Sequence, residues 1–346
     1  PPSWEVVDLK KYNCEDGLTE HLLSKISSTL SANEQILLFL NRRGYSPVVI
    51  CSNCGYKPIC KNCDWTMVYH KSSDLIICHH CGYSQKMSEL NCCYRKKFKP
   101  IGLGTERIYE AVKKNFPDSV VERVDSDITY STTDIKHLFQ RVSERKVDIL
   151  VGTQMVAKGL DFSGITLIGI LNPDSALYSG EFKAEERLAQ LLIQVSGRAA
   201  RAIKRGAVVL QSAYPDHPII EKLIADGYSG YVQVALRERK NHNTPPFSTF
   251  ALIKATSKIE TRIKRFLTSV RGKLNSFVQY ENIAISQIIP MTLYKKAGFF
   301  RCGIVVRCKS KSEIQNLMSR NINEIEQLAR QNKVRWSVEL DPEGML

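Results

Sequence analysis

The stretch "QILLFLNRRG", residues 35–44, decides the fold. Apolar residues run unbroken from Ile36 to Leu40 and then give way to Asn41, Arg42, Arg43 and Gly44. A strand with one wet face alternates polar and apolar residues. A strand covered on both faces does not, and such strands belong to parallel sheets flanked by helices. In those sheets ligands meet the loops at the carboxyl ends of the strands, which is where Arg42 and Arg43 fall.

Reading outward from this strand gives the same answer. On the amino-terminal side, "GLTEHLLSKISSTLS" (17–31) sets Leu18, Leu22, Ile26 and Leu30 at helical spacing. On the other side the pattern breaks for about fifty residues into cysteine pairs. It resumes with "GLGTERIYEAVKKNF" (102–116), a helix with Ile108, Val112 and Phe116 on one face. "VVERVD" reads as a strand, "TDIKHLFQRVSE" as a helix, and "VDILVGTQM" and "TLIGILNPD" as strands. "AEERLAQLLIQVSGRAAR" (184–201) reads as a helix and "GAVVLQS" as a closing strand. This alternation predicts a doubly wound parallel sheet with helices on both faces, with the cysteine block inserted after the strand that begins at Gln35. The rhythm changes after Pro215. Two helix-like stretches (217–241) lead to Pro245-Pro246. Strand 247–256, helix 259–276, strands 283–289 and 299–307, helix 311–331 and strand 334–340 then follow in βαββαβ order. The expected organisation is a RecA-like lobe from 1–47 and 98–214, a zinc-ribbon insert at 48–97, and an α+β carboxyl-terminal domain at 215–346.

The 346 residues carry a formal net charge of +14, which points to a polyanion, nucleic acid first. No run of eighteen apolar residues is present, so no membrane-spanning helix and no membrane partner are expected. The start, "PPSWEVVDLK", has neither an initiator Met nor the apolar core of a signal peptide, and reads as the interior of a longer protein.

Of eleven cysteines, eight lie between Cys51 and Cys93. Cys51/Cys54, Cys60/Cys63 and Cys78/Cys81 are C-x-x-C pairs, and two such pairs brought together form the tetrahedral thiolate cage of a structural zinc. Free buried thiols, a redox pair or an iron–sulfur cluster are the competing readings. Three copies and the spacing favour zinc ribbons. The fourth pair is irregular: Cys92 and Cys93 are adjacent, with Arg95 and Leu90 where a C-x-x-C would need cysteine. One complete site (Cys60, Cys63, Cys78, Cys81) is therefore expected. A second, from Cys51, Cys54 and one or both of Cys92 and Cys93, is left open, because adjacent side chains are expected to diverge. His70, His79 and His80 are read as structural or exposed.

"QVSGRAARAIKRG" (194–206) holds Arg198 and Arg201 three residues apart, a spacing that puts two guanidinium groups near one face of a helix end. Arginine's planar fork suits phosphate oxygens and the charge that builds in phosphoryl transfer. A G-x-x-x-x-G-K-[ST] loop should accompany them. The only Gly-Lys, Gly272-Lys273, has Leu267 where the first Gly is needed and Leu274 after it, so the chain holds no phosphate cradle.

Together, "ILLFLNRRGYSP", the cysteine array with "CHHCG", "PIGLGTERI", "ILVGTQMVAKGLDF", "QVSGRAARAIKRGAVVLQ" and "HNTPPF" resemble the primosomal protein N′ (PriA) family of bacterial replication-restart helicases, over nearly the whole chain. The resemblance implies an ATP-dependent 3′–5′ DNA helicase, cytoplasmic, acting on DNA forks and single strands. It implies that the P-loop lobe, with ATP and Mg²⁺, lies outside this chain. It makes Gln194, Arg198 and Arg201 motif VI, reaching the γ-phosphate. Thr153 and Gln154 become DNA contacts, Gly159 and Asp161 the loop that couples DNA to nucleotide, and Arg42 and Arg43 backbone contacts. Lys311 and Gln315 fall where the family binds the acidic tail of single-stranded DNA-binding protein, and the zinc module is implied in contacts with other primosome proteins. Leu160 stands where the family usually has His, and Ala200 where it has Gly. The competing function is a zinc-ribbon nucleic-acid or protein adaptor, which would have no use for "GTQMVAKG" and "QVSGRAAR".

Overall fold

The structure is a computed structural model that describes residues 2–41, 48–70, 74–78, 80–93, 98–101, 104–124, 132–153, 164–177, 183–199, 206–278 and 283–342. Two compact units emerge: Pro1–Pro47 with Gly102–Gln233, and Val48–Ile101 with Val234–Leu346.

The first unit is built on a six-stranded sheet. Its spatial order is Ser3–Asp8, Ala207–Ser212, Ile165–Leu171, Gln35–Leu40, Ile149–Gly152, Val121–Val124, and every pairing is parallel. Gln35–Leu40 lies inside this sheet and is buried at every position, as its unbroken apolar run requires. Ile36, Leu38 and Leu40 share one apolar cluster with Leu22 and Ile26 of helix Glu20–Ser31 and with Ile108 and Val112 of helix Thr105–Asn115. Helix Ala184–Ala199 packs on strands Ile165–Leu171 and Ala207–Ser212. Its buried residues Leu188, Leu192, Val195 and Ala199 recur at helical spacing.

Two polar devices fix this apolar stack. The Thr19 side chain caps helix Glu20–Ser31 by accepting from the Leu22 N–H at 3.3 Å. Gln211, on the last strand, then holds Thr19. Its Oε1 accepts from the Thr19 N–H at 3.0 Å and the Thr19 hydroxyl at 2.7 Å, and its Nε2 donates to the Gly17 carbonyl at 2.8 Å. At the other end of the sheet Gln35 donates to the carbonyls of Val142 and Val147. A Cβ on Gly164 would lie 2.0 Å from Gln35 Oε1, so a larger residue there would displace this side chain.

The carboxyl-terminal sheet is antiparallel in the order Ala284–Ile285, Phe299–Cys308, Thr249–Ser257, Arg335–Leu340, and Ile289–Lys296 also pairs with Phe299–Cys308. Helices Glu260–Val278 and Lys311–Asn332 fill one apolar cluster with it through Ile263, Phe266, Leu267, Ile314, Leu317 and Ile325. The expected βαββαβ order is found with one strand more, as βαβββαβ. The expected single strand 283–289 is instead two, and the longer one runs to Lys296. Pro290 and a register shift after it disguised that strand, as proline does at sheet edges. The two helix-like stretches of 217–241 are found as two helices that meet at a kink, Gly227, whose φ of 66° is not helical.

The cysteine insert is a five-stranded antiparallel sheet in the order Ser84–Lys86, Leu75–Ile77, Val68–His70, Val48–Cys51, Phe98–Ile101. Among the described residues no helix is long and apolar enough to cross a membrane.

Candidate metal centres and helicase-motif residues

Strands deliver the cysteines. Val48–Cys51 ends in the first knuckle, and Leu75–Ile77 leads into the knuckle that starts at Cys78. These two knuckles share one sequence, C-x-x-C-G-Y, and one backbone. Cys51 N–H donates to the Tyr56 carbonyl at 2.9 Å and Gly55 N–H to the Cys51 carbonyl at 2.8 Å. Cys78 N–H to Tyr83 and Gly82 N–H to Cys78 repeat the pair, both at 2.8 Å. The glycines sit at φ 72° and 74°, the left-handed conformation that turns the chain back over its second sulfur. Cys60/Cys63 forms a different turn, closed by Cys60 N–H to the Trp65 carbonyl at 2.9 Å.

Two clusters result: Cys60, Cys63, Cys78 and Cys81, and Cys51, Cys54, Cys92 and Cys93, with all four sulfurs of each within 4.8 Å of one another. Sulfurs about 2.3 Å from a tetrahedral zinc stand about 3.8 Å apart. Cys60–Cys81 is 3.6 Å, Cys51–Cys93 3.7 Å and Cys92–Cys93 3.8 Å. These spacings fit a ZnS₄ cage and are far beyond the ~2.05 Å of a disulfide. The expected divergence of the adjacent thiols is therefore not found: a bend at Cys92–Cys93, just after the short helix Met87–Glu89, turns both sulfurs inward. The first cluster is the inner one, with Cys60, Cys63 and Cys78 buried. In the outer one only Cys51 is buried and Cys54 is exposed.

The thiols are electrostatically unequal. Burial pushes Cys60 up to about 12, while the Tyr83 N–H, opposed by burial, brings Cys81 down to about 7. In the outer cluster desolvation is outweighed at Cys51 by the Asn53 and Cys54 N–H groups, and its thiol falls to about 6. Desolvation and the neighbouring thiols push Cys92 up to about 12. Asn53 Nδ2 also donates to Cys93 Sγ at 3.4 Å. At Cys63 burial raises the thiol and the Ala297 N–H, 3.2 Å from Sγ, opposes it. Sequence reasoning missed these outer hydrogen bonds. The repeated C-x-x-C-G-Y would have marked two knuckles of one geometry; nothing in the sequence marks Ala297. His80 stands edge-on to Trp65 with ring centroids 5.1 Å apart, in neither cluster; His79 lies outside the described residues.

The helicase-type residues divide. Thr153, 5% exposed, directly follows strand Ile149–Gly152. Gln194 is exposed and Arg198 half-buried, one turn apart at the end of helix Ala184–Ala199. Arg42, Arg43, Gln154, Gly159, Asp161 and Arg201 lie outside the described residues. Lys311 and Gln315 are exposed and four residues apart in the first turns of helix Lys311–Asn332, whose cap, Ser310, accepts from the Glu313 N–H.

Family models match in three consecutive blocks: the PriA DNA helicase Cys-rich region domain at 60–86, the helicase conserved C-terminal domain at 90–203 and the primosomal protein N C-terminal domain at 240–343. Replication restart protein PriA of Haemophilus influenzae is 38% identical over 345 residues, which is 98% of this chain and 46% of that protein. The Bacillus subtilis protein of the same name is 33% identical over 332 residues, covering 94% and 40%. The chain thus spans less than half the length of either relative. Among solved structures, Mss116p DEAD-box helicase domain 2 bound to an RNA duplex is 14% identical, with a TM-score of 0.34 over 66% of this chain and 60% of that one, a likeness too slight to bear on the fold. Three matched modules in one order, and relatives of one name along nearly the whole chain, make this chain a member of the PriA family, corresponding to its C-terminal part.

Proposed function

We propose that this chain is the second motor lobe, zinc module and carboxyl-terminal domain of an ATP-dependent 3′–5′ DNA helicase that remodels stalled forks and starts primosome assembly. The observation that carries the reading is the placement of the motifs. Strands Gln35–Leu40 and Ile149–Gly152 pair side by side and parallel, and "NRRG" and "TQMVAKG" follow their carboxyl ends, where open parallel sheets bind their ligands.

In this reading Gln194, Arg198 and Arg201 face the γ-phosphate of an ATP whose Mg²⁺ and β/γ-phosphates are held by a P-loop lobe. Gly159 and Asp161 couple nucleotide to DNA. Thr153, Gln154, Arg42 and Arg43 contact the DNA backbone. Zinc in both cysteine clusters is structural: it supplies folding free energy and no hydrolytic chemistry. Lys311 and Gln315, on one exposed helix face, receive the acidic tail of single-stranded DNA-binding protein, and the zinc module meets other primosome proteins. The working place is the bacterial cytoplasm.

The test is kinetic. This chain alone should show no DNA-stimulated ATP turnover, since its sequence holds no G-x-x-x-x-G-K-[ST] loop. In a chain that also carries the P-loop lobe, Arg201→Ala should lower turnover by about 10³-fold or more, the scale of a lost arginine finger, with nucleotide affinity changed far less. Turnover by the isolated chain, or an Arg201→Ala enzyme with unaltered kcat, sinks the assignment.

A further inference from the structure

Strands Ile289–Lys296 and Phe299–Cys308 are joined by Ala297 and Gly298, with Lys296 opposite Phe299. Both turn residues are left-handed, at φ 49° and 81°, as two-residue hairpin turns that match strand twist require. Glycine does this freely. Alanine does not: such positions favour Asn, Asp or Gly, because a Cβ crowds the carbonyl oxygen there.

The strained turn points its amides at the inner metal cluster. The Ala297 N–H donates to Cys63 Sγ at 3.2 Å. The Gly298 N–H donates to the Asn62 carbonyl at 2.8 Å, and the Asp64 N–H returns a bond to the Lys295 carbonyl at 3.1 Å. Residues 62–64 and 295–298 therefore dock through three hydrogen bonds that bracket one cysteine. Below the turn, Leu293 packs in the same apolar cluster as Cys60, Cys63 and Cys78. A sheet domain that begins about 150 residues after the cysteine block thus completes the core and the outer shell of its metal centre.

Four thiolates around one Zn²⁺ carry an excess of negative charge. An N–H donated to a thiolate is charge-assisted, and stronger than the same bond to a neutral thiol. Outer hydrogen bonds of this kind hold metal ligands in place. Coupling of this sort is reciprocal: whatever factor docking adds to metal affinity, metal adds to docking.

We propose that the Lys296–Phe299 turn is an outer-sphere part of the inner metal centre, so that metal at Cys60, Cys63, Cys78 and Cys81 locks the carboxyl-terminal sheet onto the cysteine module and metal loss releases it. The proposal rests on the zinc reading above and goes beyond it by making the metal a joint between two parts of the chain.

The test uses the whole 346-residue chain, with zinc counted first. Hydrogen exchange is then compared before and after stripping by a chelator. The Asp64, Ala297 and Gly298 amides should exchange at least about tenfold faster after stripping, while those of strand Thr249–Ser257, which is paired on both sides, keep their protection. With cadmium-113 in place of zinc, the Ala297 amide proton should show scalar coupling to the metal through the N–H···S bond. Ala297→Pro, which removes the donor and, with φ held near −65°, also breaks the turn, should release inner-site metal to a chelator about 10–100-fold faster; Ala297→Gly, which keeps both, should not. Where Ala297→Pro does not fold, exchange and coupling in the unsubstituted chain decide. Unchanged exchange after stripping, absent coupling, or equal release by the Pro and Gly variants overturns the proposal with the zinc reading intact. A chain with no zinc in either cluster overturns both.

Discussion

In each cysteine cluster one thiol stands near 12 and another near 6 or 7: Cys60 against Cys81, and Cys92 against Cys51. Burial sets the high member of each pair, and crowding widens the split, because the first thiolate formed makes the next costlier. Zinc needs all four deprotonated, so binding must expel the protons that Cys60 and Cys92 hold at neutral pH, and affinity must fall as pH falls. Stripped protein titrated with zinc in weak buffer near pH 7 should acidify the solution; no proton release would contradict the thiolate cage. The outer cluster, with Cys54 exposed and only Cys51 buried, should give up its metal first when a chelator is added, and Cys92→Ser should hasten that step alone. Simultaneous loss of both metals would show the sites to be equivalent. The ligand pairs were legible in the sequence because their spacing is a local property. The convergence of Cys92 and Cys93 was not, because the direction of two adjacent side chains depends on a backbone bend that composition does not record.

At the scale of elements, the buried bridge from Gln211 to Thr19 and Gly17 should matter more than any surface ion pair. Gln211→Leu leaves the Thr19 N–H and the Gly17 carbonyl without their partner inside the protein, and should cost about 2–3 kcal/mol. Lys25→Ala removes a half-exposed partner of Glu5 and should cost under about 1 kcal/mol. Denaturant unfolding of the two variants reads the difference, and equal midpoints would refute the ranking. The parallel strands were legible because burial on both faces writes an unbroken apolar run, as in Ile36–Leu40. Helix Ala184–Ala199 was legible from its 3.6-residue period. Strand Ile289–Lys296 was not, because Pro290, Thr292, Lys295 and Lys296 interrupt the pattern and its place is set by Leu293 docking elsewhere. The three-residue strands of the cysteine module are too short to show any period, and the Gln211 bridge spans 192 residues to Thr19, beyond any local signal.

At the scale of the molecule, the net charge of +14 predicts how nucleic acid should be held. Phosphate contacts release counterions, so affinity of this chain for single-stranded DNA should fall linearly on a log–log plot as salt rises. A titration that stays flat from low to moderate salt would remove backbone contact as the source of binding. The sequence made charge and motif order visible at this scale. Of the residues named from those motifs, the structure describes Thr153, Gln194 and Arg198.

The pairing of Val48–Cys51 with Phe98–Ile101 has a consequence of its own. Val48 lies directly across from Ile101, and neighbours across an antiparallel pair are about 5 Å apart. A detour through three knuckle pairs and five strands therefore ends where it began. The two ends of the cassette, Val48 and Ile101, lie side by side, no farther apart than the ends of a tight turn. Residues can be added between those ends without moving them apart, because the Val48–Ile101 pairing fixes their separation. An insertion that ties off its own ends can change in length inside that clasp, while its face toward the Lys296–Phe299 turn stays held to the carboxyl-terminal sheet.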